Sequence, residues 1–96
     1  MDNQLNNLAQ TFSQNMINQN FFGHYDPQGR SPNDRAEAAG IVEGVGENIA
    51  MNINLTEAQL SLQRSPAHLR NMVKKIWTRV GLGVAQNAKG YYFLTQ

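Results

Sequence analysis

Residues 76–95, IWTRVGLGVAQNAKGYYFLT, decide the fold class that the sequence predicts. Across Ile76–Ala85, large side chains alternate with very small ones, a pattern that favours a β-strand. The turn residues NAKG follow, and the run Tyr91–Thr95 then pairs back as the second strand of a hairpin. Because Gly81 and Gly83 carry no side chain, we expect a helix or another strand to approach the first strand closely.

Four helices are predicted before this hairpin. Apolar residues spaced by three and four positions from Leu5 onward place one apolar stripe on the first helix, which Asp2 or Asn3 caps. A Ser-Pro pair begins the second and the fourth helix, and Thr56 with Gln59 resembles the capping box of the third. The predicted ranges are 5–18, 31–39, 56–64 and 65–73. Helices on the faces of a short antiparallel sheet give an α+β layered domain.

A further strand is predicted at residues 47–54, ENIAMNIN, where apolar and polar residues alternate. Glu47 falls on the same side of this strand as Ile49 and Met51. Burying a carboxylate there is costly unless a cation, a protonated imidazole or a metal compensates its charge. The alternative is that Glu47 lies at the end of the strand and reaches solvent.

The composition restricts the classes of protein to which the chain can belong. Its 96 residues suffice for one domain, which we predict to span residues 1–96. The net charge of +1, from 8 basic and 7 acidic residues, provides no basic surface for nucleic acid. No apolar run approaches the roughly 18 residues that cross a membrane. Because cysteine is absent, disulfides, thiolate zinc sites and a cysteine nucleophile are excluded.

Two histidines, His24 and His68, are the imidazoles of the chain. Their spacing alone does not indicate a metal site. Composition alone favours the interpretation that His24 is a histidine in a turn and that His68 lies on a helix and hydrogen-bonds its neighbours.

Four segments, in order along the chain, resemble the bacterial branch of the CAP superfamily, which comprises cysteine-rich secretory proteins, antigen five and plant pathogenesis-related proteins. They are NFFGHYDPQGRSPNDRAEAAG, GENIA, SPAHLRNM and VGLGVAQNAKGYYFLTQ, and the match covers nearly the whole chain. The resemblance implies an SCP-like α-β-α sandwich, in which a small antiparallel sheet lies between helical layers. It also implies a secreted, extracellular or cell-envelope location.

The resemblance further implies a cleft in which two histidines and two acids gather, and in several members the histidines bind zinc or another divalent cation. By motif, His24 in FFGHYD matches the first histidine, Glu47 in GENIA the central acid and His68 in SPAHLRNM the second histidine. Neutral imidazoles are good zinc ligands, and a nearby carboxylate can hold a bound water or accept its proton. Leu62 and Ser65 stand where the family commonly has a tryptophan and the second acid, so we expect weaker metal binding than in a complete set.

Three functions are compatible with such a cleft. The first, which we favour, is a binding module that recognises a cation, a small ligand or a protein partner without turnover. The second is a metal-assisted hydrolase, for instance a peptidase, in which a metal on His24 and His68 activates water and Glu47 is the general base. The third is a structural domain of a larger envelope protein.

Family members usually have another amphipathic helix before the segment that starts here near Leu5. The resemblance therefore implies an N-terminally short domain, and we expect a second copy of the chain or a neighbouring domain to cover the apolar face left open. If the natural product is secreted, its export signal lies outside this sequence.

Overall fold

The computed structural model describes residues 2–41, 44–73 and 79–96. Its helices are α1 (Asn3–Asn18), α2 (Pro32–Ala38), α3 (Leu55–Arg64) and α4 (Pro66–Val73), and its strands are β1 (Ile49–Asn52), β2 (Gly83–Gln86) and β3 (Tyr92–Thr95). Strand β3 lies in the centre of the sheet and pairs antiparallel with both β1 and β2. The predicted hairpin and the α+β class are therefore confirmed.

Helices cover both faces of the sheet. The core between the sheet and α1 consists of Phe12, Met16, Ile49 and Phe93. The core on the opposite face, beneath α3, consists of Ala50, Ala58, Leu62 and Leu94. The sheet is thus enclosed between two helical layers, which confirms the α-β-α sandwich. Leu62, at the position where the family commonly has tryptophan, is 1% exposed and belongs to this second core.

The predicted alternation of buried and exposed residues along β1 is wrong. Ile49 and Ala50, which point to opposite faces, are both buried, whereas Met51 and Ile53 are exposed. The two helical layers bury both faces at the start of the strand, so period-two alternation is lost there. Burial in β1 therefore depends on the position along the strand, with the first two residues buried and the next exposed, and not on which face a side chain occupies.

The first strand of the hairpin begins later than predicted, at Gly83. Residues 79–82 precede it without forming part of the sheet, and positions 76–78 of the predicted strand lie outside the described residues. The carbonyl of Val80 accepts a hydrogen bond from the backbone N–H of Asp2 at 2.9 Å. The chain before β2 thus pairs with the start of α1 instead of extending the sheet.

Side-chain amides of α1 cover the outer edge of β2. The Gln10 amide both accepts from the N–H of Val84 at 2.9 Å and donates to its carbonyl at 2.8 Å. Asn6 accepts in the same way from the N–H of Leu82 at 2.9 Å. Unpaired edge groups are a template for aggregation, so these amides protect the edge where another strand would otherwise add.

Helix α1 approaches this strand closely, as the two glycines predict. A Cβ atom on Gly81 would collide with the backbone of Leu5, and one on Gly83 would collide with the backbone of Ala9 and Gln10. Only glycine therefore permits this spacing between helix and strand.

The helix starts follow the predicted capping, with one exception. Asp2 caps α1, and Ser31 caps α2 in a capping box with Asp34. For α3, Asn54 is the N-cap in place of the predicted Thr56, because its side chain accepts from the N–H of Glu57 at 3.0 Å. The helix consequently begins one residue earlier than expected, at Leu55.

Candidate functional site

His24 lies in the connection between α1 and α2, and packing and hydrogen bonds fix this connection at both ends. At the end of α1, Asn20 adopts a left-handed conformation with φ 56°, and the N–H of Phe21 donates to the carbonyl of Met16. The ring of Phe21 then packs edge-on against Phe12, with 5.6 Å between ring centroids. These contacts set the direction in which the chain leaves α1 toward His24.

Asp26 organises the other end of the connection. Its carboxylate accepts hydrogen bonds from the backbone N–H of Gln28 and Arg30, and from Nε of Arg30 at 2.7 Å. Desolvation would raise the pKa of Asp26, but the hydrogen bonds and the charge of Arg30 outweigh it, so the pKa lies below its ordinary value. The ionised carboxylate thus holds the turn that follows His24.

The lowered pKa of Asp26 predicts a loss of stability in acid. A carboxylate whose pKa is lower in the folded protein stabilises the fold above its ordinary pKa of 3.8, and this contribution disappears as pH falls through the lower, folded value. We therefore expect the free energy of unfolding to decline as the pH is lowered below about 4. Urea unfolding of the wild type and of Asp26→Asn across this pH range measures the effect.

Two other carboxyl groups contribute to the same slope. The pKa of Asp2 is lowered chiefly by the N–H of Leu5, and that of Asp34 by the N–H of Ser31. Asp26→Asn should therefore reduce the pH dependence without abolishing it. An identical slope in the variant would contradict the role assigned to Asp26.

Glu47 precedes β1 and is buried, with 7% of its side chain exposed. Its Oε1 lies 2.8 Å from Nδ1 of His24, and its Oε2 lies 2.9 Å from one terminal nitrogen of Arg35. The second terminal nitrogen of Arg35 is 3.3 Å from Oε1. The alternative that Glu47 reaches solvent is wrong, and the expectation that a cation compensates a buried carboxylate is confirmed, with Arg35 as the cation.

Arg35 is the site residue that the sequence analysis missed. It lies on α2 with 7% of its side chain exposed, and its guanidinium stacks on the ring of Phe12 at 3.4 Å from the centroid. It also donates to the backbone carbonyl of His24. A signal was present in the sequence, because Arg30 and Arg35 are the basic residues between His24 and Glu47, and Arg30 pairs locally with Asp26.

Asn48 connects the site to the segment that carries His68. Its side chain is buried, and its Nδ2 donates to the backbone carbonyl of His68 at 3.1 Å. Its Oδ1 accepts from Nδ2 of Asn71 at 3.1 Å, which ties α4 to the same point. The Glu-Asn pair thus contacts both histidine segments: Glu47 binds the ring of His24, and Asn48 binds the main chain of His68.

The side chains of the two histidines have different surroundings. That of His24 is 45% exposed, whereas Nδ1 of His68 is buried and has no hydrogen-bond partner among the described residues. Ser65, at the position of the family's second acid, accepts from the N–H of His68 at 3.5 Å. Among the residues that the structure describes, no three histidine or acidic side chains converge on a point that could hold a metal ion. The His24, Glu47 and His68 metal site stays a prediction.

The comparison with known proteins agrees with the four motifs and with the sandwich. The whole chain, residues 1–96, matches the family model of the cysteine-rich secretory protein (CAP) family. The chain belongs to the CAP family. It does so without cysteine, so this CAP domain is held by its two apolar cores and by polar contacts such as those of Asp26 and Glu47.

Similar proteins come from several bacteria. The CAP domain is 30% identical over 89 residues to the uncharacterized protein YkwD of Bacillus subtilis. This match covers 91% of this chain and 35% of YkwD. It is 27% identical to an extracellular protein of Bacillus anthracis that contains an SCP domain, with a TM-score of 0.74 over 98% of this chain and 31% of that one. The chain thus spans about a third of the length of these relatives.

A second solved structure shows the fold alone. An outer surface protein of Borrelia burgdorferi superimposes with a TM-score of 0.75 at 15% identity, covering 98% of this chain and 72% of that one. None of the helices described for this CAP domain has the length and apolarity needed to span a bilayer.

Proposed function

We propose that this CAP domain is a secreted or envelope-associated binding module, and that its ligand is a divalent cation contacted by His24. The observation that carries the proposal is the half-exposed imidazole of His24, which is hydrogen-bonded at 2.8 Å to the buried carboxylate of Glu47. A histidine that binds a metal through one ring nitrogen commonly donates from the other to a carboxylate. The pair therefore supplies an imidazole in the arrangement that favours cation binding.

The residues present fit weak binding better than a structural metal centre. Structural zinc sites have four protein ligands. Here His24 provides an exposed imidazole, but both oxygens of Glu47 already accept hydrogen bonds and are not free to bind a metal. The proposed site therefore takes His24 and the predicted His68 as ligands, with water completing the coordination. A bound cation would supply positive charge at the rim of the fold, where an anionic or carbonyl group of a partner can be recognised.

The engagement of Glu47 favours binding over hydrolysis. A general base must be free to accept a proton from water, whereas Arg35 and His24 occupy both oxygens of this carboxylate. A cavity of about 630 Å³ is lined in part by Arg35, Glu47 and Asn48, and its size suits a small ligand. The extracellular location is supported by the Bacillus anthracis relative, which is described as extracellular.

Calorimetric titration of the metal-free domain with zinc tests the proposal. We expect the wild type to bind zinc, and His24→Ala and His68→Ala each to weaken binding by at least about tenfold, because each removes a ligand. Glu47→Gln should weaken binding by about 10- to 100-fold, as is typical for a carboxylate behind a ligating histidine. The matched control is Gln63→Ala, an exposed residue on α3, which should bind like the wild type.

Two results would overturn the proposal. Absence of zinc binding, or wild-type affinity in His24→Ala, would remove the cation function. Zinc-dependent cleavage of a peptide library that disappears in Glu47→Gln would replace the binding module with the hydrolase.

A further inference from the structure

The hydrogen-bonding capacities of three side chains determine where the proton of His24 lies. A guanidinium can only donate, and an ionised carboxylate can only accept. Arg35 already donates to both oxygens of Glu47, so Glu47 faces His24 as an acceptor. Because Nδ1 of His24 lies 2.8 Å from Oε1 of this carboxylate, Nδ1 must be the donor and must carry the proton.

The other ring nitrogen is then the reactive atom. In a neutral imidazole one nitrogen carries the proton and the other has a free lone pair. Among the described residues, none hydrogen-bonds Nε2 of His24, and 45% of this side chain is exposed. The lone pair of Nε2 thus has no hydrogen-bond partner among the described residues, on a side chain that is nearly half exposed.

We propose that Arg35 is the positioning residue of this site, because it orients Glu47 and thereby fixes His24 with a proton on Nδ1 and a free lone pair on Nε2. Arg35 contacts both members of the pair that it orients: it donates to the carboxylate of Glu47 and to the backbone carbonyl of His24. What Nε2 then binds rests on the proposed function.

The surroundings of Arg35 explain why arginine suits this role. Its guanidinium is fixed against the ring of Phe12, so the donors are oriented before any ligand arrives. The planar group spans both oxygens of Glu47 and reaches the His24 carbonyl with separate N–H groups, which the single nitrogen of lysine cannot reproduce.

Nitrogen-15 NMR of the imidazole rings, in mildly alkaline buffer without any ligand, tests the proposal directly. Protonated and unprotonated ring nitrogens have well-separated chemical shifts, so each tautomer is measured separately. For His24 in the wild type we expect the Nδ1–H tautomer in at least about tenfold excess, because hydrogen bonds to charged groups are strong. His68, whose Nδ1 is not hydrogen-bonded within the part of the chain that the structure describes, is the internal reference in the same spectrum.

Glu47→Gln should invert the tautomer of His24. Arg35 can pair only with the amide oxygen of the new side chain, which turns the NH₂ group toward Nδ1. Because that group donates, Nδ1 must accept, and the proton moves to Nε2. In the double variant Arg35→Met with Glu47→Gln, no guanidinium fixes the amide, and we expect a mixture of both tautomers. The spectrum of His68 should not change in either variant.

An excess of the Nε2–H tautomer in the wild type would overturn the proposal. If His24 has the Nε2–H tautomer in Glu47→Gln and keeps it in the double variant, Arg35 has no positioning role. These outcomes are independent of zinc binding. If the wild type has the Nδ1–H tautomer, and the inversion in Glu47→Gln is lost in the double variant, then a failure to bind zinc would leave the positioning role standing and contradict only the proposed function.

Discussion

Replacing Arg35 with methionine is expected to lower the free energy of unfolding by about 3 to 5 kcal/mol, because it leaves the carboxylate of Glu47 buried without its cation. Both side chains are 7% exposed, so water replaces the lost partner only in part. The variant also loses the stacking of the guanidinium on Phe12. Urea unfolding of the wild type and the variant, followed by circular dichroism, measures the difference.

Two controls separate this buried pair from a general effect of removing arginine. Arg64→Met removes a guanidinium that is 70% exposed and 3.8 Å from Glu57, and we expect it to change stability by no more than about 1 kcal/mol. The double variant Arg35→Met with Glu47→Gln removes both charges and should recover part of the loss. If Arg35→Met were no more destabilising than Arg64→Met, the Arg35–Glu47 pair would contribute nothing to the fold.

The parts of the fold that the sequence predicts correctly depend on local interactions. The spacing of apolar residues determines α1, and the turn between the β2 and β3 segments brings them together. The burial along β1 was not predictable from its own residues, because distant helices cover both of its faces at Ile49 and Ala50. The prediction of the α3 cap was wrong for a related reason. Asn54 and Thr56 are both suitable N-caps, and the position at which β1 ends decides between them.

The candidate site was likewise predictable where local chemistry determines it and not where distant elements do. Desolvation alone implies that a buried Glu47 needs a cation, so the need was predictable from the sequence. Which cation meets it depends on how α2 lies against α1, where Arg35 stacks on Phe12. His68 was placed by motif, and the contact that fixes its segment is made by Asn48, a residue whose burial no periodicity indicates.

Gly83→Ala is expected to destabilise the domain by about 3 kcal/mol or more, at the upper end of the usual effect of overpacking. The added Cβ would collide with the backbone of Ala9 and Gln10, and a helix backbone cannot move aside as a flexible side chain can. Displacing α1 would also weaken the two hydrogen bonds between the Gln10 amide and the backbone N–H and carbonyl of Val84. Thermal and urea unfolding of the variant measure the loss.

The matched control is Gly23→Ala, because a Cβ at Gly23 meets no atom of the described residues beyond its chain neighbours within 4 Å. This substitution should change stability by less than about 1 kcal/mol, since it adds no contact and only restricts the unfolded chain. The two variants make the same chemical change, so their difference isolates the close approach of α1 to β2. Equal stability of the two variants would mean that α1 can withdraw from the sheet at little cost. The glycine at position 83 would then not determine the spacing of this layer.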